Sequence, residues 1–166
     1  MIRAALRAPA APLLLALTLA VACVNGCSKA PATSGQPHKH EHHPPHGGTP
    51  VVLGEEVYHI ELVRDPEAGT LQAYVLDGEM ENFIRSGVPS IEIDAMGADA
   101  PRTLVLAAVA NPATGETVGD TSLFQAQADW LKATPEFDGV LRSITIRGTT
   151  FTDVKFNFPK GNDTDG

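Results

Sequence analysis

Thiols and basic residues are scarce in this chain of 166 residues. It carries two Cys, and 12 Lys and Arg stand against 20 Asp and Glu, a formal net charge of -8. Two Cys cannot build a multi-disulfide scaffold or a four-thiolate zinc site. The acidic balance excludes the basic footprint that nucleic-acid binding needs. Recognisable catalytic signatures are missing too: there is no Walker loop, no Gly-x-Gly-x-x-Gly and no Gly-x-Ser-x-Gly. The chain is shorter than the ~250 residues of a barrel enzyme. What is present is a 43% apolar share, enough for the core of one domain with appendages.

The first 26 residues read as a secretory signal. Arg3 and Arg7 form a positive start, and no charge follows from Ala8 to Val24. The apolar run through Leu13, Leu14, Leu15, Leu17, Leu19 and Val21 is shorter than the ~20 residues of a spanning helix. Its end, Val24-Asn25-Gly26-Cys27, resembles a bacterial lipoprotein lipobox, with Asn25 a departure from the usual second residue. The resemblance implies acylation of Cys27, an anchor of two or three chains in a lipid bilayer, and Ser28 as a residue that permits export to the outer membrane. Removal of Cys23 with the signal would then leave no thiol for the fold.

Residues 27–48 are expected to form a flexible, lipid-anchored tether. Ser28 to Pro37 is rich in small residues and Pro, with no apolar period. Five of the six His follow within nine residues: His38, His40, His42, His43 and His46. Neutral imidazole is a ligand for Cu, Ni and Zn, so this run is the candidate metal segment, with Glu41 as a possible oxygen ligand. Pro44-Pro45 stiffens the approach to His46, and Gly47-Gly48 is expected to free the backbone after it. Protons compete with metal for imidazole, so affinity should fall on acidification.

From residue 49 to 158 the pattern predicts an all-β, antiparallel domain. Tyr58, Ile60 and Leu62 share one face of a strand, with His59 and Glu61 on the other. Arg64 to Thr70 reads as a turn through Asp65-Pro66 and Gly69, and Leu71, Ala73 and Val75 resume the alternation, completing a hairpin. Further strands are expected over Ser90–Ala95, Arg102–Ala110 and Ser122–Ala128, with a turn at Asn111–Gly115 and a helical turn at Asp129–Ala133. Leu141–Arg147 and Phe151–Phe158 flank Gly148 as a last hairpin. The apolar run at 102–110 predicts a central strand covered on both faces. About eight short strands over roughly 110 residues fit a β-sandwich of immunoglobulin-like type. Residues 159–166 read as a disordered tail. Between 49 and 158 there are 17 acidic and 7 basic side chains, a net of −10 that attracts cations.

His46-Gly47-Gly48-Thr49-Pro50-Val51-Val52-Leu53-Gly54, Tyr58–Val63, Gly69-Thr70-Leu71, Tyr74–Asp77, Ile146-Arg147-Gly148 and Phe156-Asn157-Phe158 are together similar to small His-rich periplasmic domains. Those occur alone as bacterial lipoproteins or fused to heavy-metal efflux adaptor subunits. The resemblance implies a β-sandwich with a metal-handling role and no catalytic residues, with His46 and His59 as candidates on the folded domain. His59 alone is either a ligand or structural, facing solvent or lying between sheets. Asp77, Glu79 and Glu81 read as a solvated acidic loop, with Ca²⁺ or Mg²⁺ binding as the other use of such spacing.

The expected function is that of a non-enzymatic envelope lipoprotein. It would face the periplasm and bind Cu, Ni or Zn for buffering, sensing or delivery to a metal-efflux component. The alternative is a protein-protein interaction module whose His tract is a passive spacer.

Overall fold

The computed structural model describes residues 43–97 and 100–163. These residues form eight antiparallel strands: β1 Thr49–Leu53, β2 Tyr58–Asp65, β3 Thr70–Asp77, β4 Ser90–Met96, β5 Pro101–Ala108, β6 Leu123–Gln127, β7 Phe137–Ile146 and β8 Thr149–Phe158. One 3-10 turn, Asp129–Lys132, lies between β6 and β7, and there is no α-helix among the described residues. The signal segment, Cys27 and most of the tether lie outside the described residues.

Local chemistry fixes the hairpins. Between β2 and β3 the Asp65 carboxylate accepts the backbone N–H groups of Glu67 and Ala68, and Gly69 donates back to the Asp65 carbonyl from the left-handed region at φ 70°. Between β7 and β8 the two turn residues Arg147 and Gly148 both have positive φ, 49° and 85°, the combination whose twist matches that of paired strands. Within that hairpin the ladder skips Arg142 and Asp153, and Asp153 has φ 53°. There the buried phase of β7 changes from Phe137, Gly139 and Leu141 to Ile144 and Ile146.

The core is the inward row of each strand. Val51 and Leu53, Ile60 and Leu62, Leu71, Ala73 and Val75, Ile91 and Ile93, Leu104 and Leu106, and Phe124 all contribute. At one end Phe137 stacks on Phe158 at 5.2 Å and meets Trp130 edge-on at 5.6 Å. Gly139 makes room for the Phe156 ring, since a Cβ there would lie 2.3 Å from it.

The strand order is β1-β2-β3-β6-β5-β4-β7-β8, a single sheet rather than the two packed sheets of the expected immunoglobulin-like sandwich. The physical reason lies in two seams. One is the short pairing of β5 with β6, through Ala107–Gln125 and Ala108–Phe124. The other lies between the edge strands β1 and β8, where the segment after β8 takes over. The Asn162 side chain accepts from the Val52 N–H at 2.7 Å and donates to the Val52 carbonyl at 3.2 Å, standing in for a peptide group of a missing strand. Thr49 Oγ1 donates to the Pro159 carbonyl. Two four-stranded halves are thus joined into a nearly closed, barrel-like sheet.

Three further expectations differ from the structure. Residues 159–162, expected to trail off, close the second seam. β5 is covered on one face only: Leu104 and Leu106 are buried while Thr103, Val105 and Ala107 are exposed. Alternation decides this, because the outward row is exposed among the described residues. Residues 44–48, expected as tether, lie against the sheet.

Candidate functional site

On the outward face of β1, β2 and β3, other described segments cover the sheet. Cross-strand register places Pro50, Glu61 and Tyr74 in one row and Val52, His59 and Leu76 in the next. Over the second row lies the loop after β3. Asp77 organises it: one carboxylate oxygen accepts the N–H groups of Glu81 and Asn82, the other the Asn82 side-chain amide. Burial pushes the Asp77 carboxyl up, but these bonds outweigh it and hold the group below the usual carboxylate range, with a small contribution from His59. Ile84 N–H then bonds the Val75 carbonyl, and Phe83 bridges to Leu76. Leu76, His59 and Met80 are consequently buried.

Over the first row lies the segment Pro44–Gly48. Gly47 donates to the Pro44 carbonyl at 3.0 Å and has φ 67°, so the chain turns sharply and brings His46 back over the sheet. Glu61 receives it. Its Oε1 accepts the backbone N–H groups of His46 at 2.8 Å and Gly48 at 2.9 Å, and its Oε2 lies 2.8 Å from His46 Nδ1. The Glu61 side chain is wholly buried, and among the described residues its hydrogen-bond partners come from one short segment. A Cβ on Gly48 would fall 2.6 Å from the Leu62 carbonyl and 2.8 Å from Glu61 Cγ. Gly47 and Gly48 therefore make a close turn and a close approach, rather than the loosened backbone the sequence suggests.

Aromatic rings complete the site. The His46 imidazole stacks on Tyr74, centroids 3.9 Å apart and planes 18° from parallel, and Phe83 stands 5.8 Å away at a tilt. The Tyr74 hydroxyl donates to Gln72 at 3.2 Å, and burial, then the Glu61 charge, raise its pKa. His46 is 36% exposed, so one side of its ring is held and the other is open. Chemically this is an imidazole with one nitrogen engaged by a buried carboxylate, its plane fixed by stacking.

Of the sequence-predicted ligands, His46 alone sits in this site. His38, His40, His42 and the lipidation candidate Cys27 lie outside the described residues. His43 is exposed at the edge of the described segment. His59 neither faces solvent nor lies between two sheets. It is fully buried beneath the loop after β3, with Nδ1 3.3 Å from the Asp77 carbonyl oxygen. Asp77 is spent on its loop, so the Asp77, Glu79, Glu81 spacing does not form a Ca²⁺ site here. Among the described residues no group of three or more His, Cys, Asp or Glu is placed to hold a metal ion. Glu61, Tyr74 and Phe83 were missed as site residues; an acid set between Ile60 and Leu62, preceded by a Gly-Gly pair, was the available signal.

No family model, curated protein or solved structure matches the chain. No helix among the described residues is long and apolar enough to cross a membrane, a statement that leaves lipid anchoring untouched.

Proposed function

We propose that this protein is an envelope lipoprotein, anchored through acylated Cys27, that binds a divalent transition metal with its His-rich segment for buffering, sensing or delivery to an efflux component. The observation that carries this reading is His46. It is the last member of the five-His run, and it is fixed to the folded domain by Glu61 instead of trailing in solvent. One imidazole is thereby presented at a set place, and His38, His40, His42 and His43 precede it closely enough in sequence to supply further nitrogens to the same ion. An ion with three or four imidazole ligands would draw the segment onto the domain.

The test is titration of the chain with Cu(II), Ni(II) and Zn(II). His46→Ala should weaken binding, and replacement of all five His by Ala should abolish it. Equal, weak binding by wild type and the five-His variant would discard the metal reading.

A further inference from the structure

We infer that Glu61 is a positioning residue that keeps the proton of the His46 imidazole on Nδ1, so that Nε2 presents its lone pair to a divalent transition-metal ion. This deepens the metal-binding reading above and rests on it for the identity of the ligand.

Oε1 of Glu61 already accepts two backbone N–H groups, from His46 and Gly48, so the carboxylate cannot rotate without losing both. Only Oε2 remains for the ring, 2.8 Å from Nδ1. A carboxylate has no hydrogen to give, so Nδ1 must supply it. Neutral imidazole has one N–H, which leaves the lone pair on Nε2. Turning the ring over in its own plane would keep the stacking on Tyr74 but would lose the contact with the carboxylate, so Glu61 selects which nitrogen faces it. Nε2 lies on the side of the ring away from Glu61, and His46 is partly exposed. Metal-ligating His residues commonly donate their second N–H to a carboxylate, which fixes tautomer and orientation. Here that arrangement is built before any metal arrives, because the same carboxylate also holds the backbone on both sides of Gly47.

Glu61→Gln separates this role from simple filling of space. The Gln amide oxygen must face the two backbone donors, and its NH₂ group is then turned toward Nδ1. Nδ1 has to accept, and the imidazole proton moves to Nε2. The variant keeps shape and bonding but puts the proton on the nitrogen that the carboxylate leaves free. Tyr74→Phe keeps the stacking and should leave both tautomer and affinity as they are.

The experiment is side-chain ¹⁵N NMR on the full chain with labelled His, the His46 signals being identified by their loss in His46→Ala, followed by titration with Zn(II) alone. The expected result is Nδ1–H in wild type and Nε2–H in Glu61→Gln, with Zn(II) affinity lower in the variant by about 10–100-fold. A wild-type His46 that is Nε2–H, or averages between the two forms, overturns the inference whatever the metal does. If the tautomer is locked but Glu61→Gln leaves Zn(II) affinity unchanged while His46→Ala lowers it, the positioning role falls and the metal reading stands. Unchanged affinity in both variants removes His46 as a ligand. Wild type alone gives a further readout, independent of how well the variant folds. On adding Zn(II) the Nε2 resonance must move while Nδ1 keeps its proton, and coordination through Nδ1 would reverse the assignment.

Discussion

The outward faces of the two halves of the sheet carry similar residues in different environments. On β2 and β3 the outward row holds His59, Glu61, Tyr74 and Leu76, and the segments before β1 and after β3 fold over it. On β4, β5 and β7 the outward row holds Glu92, Asp94, Thr103, Val105 and Arg142, and it faces solvent. Both faces pair a carboxylate with a nitrogen base at nearly the same distance: 2.8 Å for Glu61 and His46, 2.7 Å for Asp94 and Arg142. Distance therefore does not distinguish them; desolvation does. Exposed pairs are screened and contribute little, whereas a buried carboxylate that loses a partner is left with an uncompensated charge. The covered face can hold a ring in one orientation, and the bare face cannot.

The largest expected contrast is in apolar truncation. Leu76→Ala on the covered face should cost about 2–5 kcal/mol in urea unfolding, as for other fully buried leucines. Val105→Ala, 56% exposed on the bare face, should stay within about 0.5 kcal/mol. Similar losses at both sites would mean that a partner covers β5 in solution.

Two depressed carboxylates sharpen the comparison further. Asp94 is held below the usual range by Arg142 first and by Thr103, with both groups exposed. Asp77 is depressed although burial opposes it, because Asn82 and Glu81 donate to it. A carboxyl with a lowered folded-state pKa adds stability above its unfolded value, and that stability is lost as pH falls through the folded value. In carboxyl NMR titrations high salt should return Asp94 toward its ordinary value and leave Asp77 largely unmoved, since salt screens charge pairs more than local hydrogen bonds. Equal salt sensitivity would mean that charge, and not the local hydrogen bonds, holds Asp77 down.

The smallest effect should come from Arg142→Ala. Its bonds to Glu92 and Asp94 are exposed, so the unfolding midpoint should shift little, and any shift should shrink with salt. A large, salt-independent loss would show that this network acts as a unit.

Much of the fold was legible because inward alternation and turn chemistry are local. Asp65 and Gly69 specify their hairpin within six residues, and Ile91 and Ile93, or Leu104 and Leu106, mark inward rows by spacing alone. The β5 run was misread for a related reason: Leu104–Val109 is apolar on both phases, and the sequence does not say that nothing lies outside Val105. The site was less legible. His46 stood out as the last of a His cluster. Glu61 looked like any outward polar residue, because the segment that buries it lies 15 positions earlier and the loop beside it follows β3.

What the sequence determined by itself was the class of structure and the residue types available: antiparallel strands, their turns, and a dense run of imidazoles ahead of them. Tertiary structure decided which outward face became an interior. The period-2 pattern separates two faces of a strand but carries no information on what folds over either. It also decided that eight strands form one nearly closed sheet, through the pairing of β5 with β6 and through Asn162 reaching Val52 across 110 positions. Contacts of that span leave no local mark in the sequence, because no short-range pattern links their two ends.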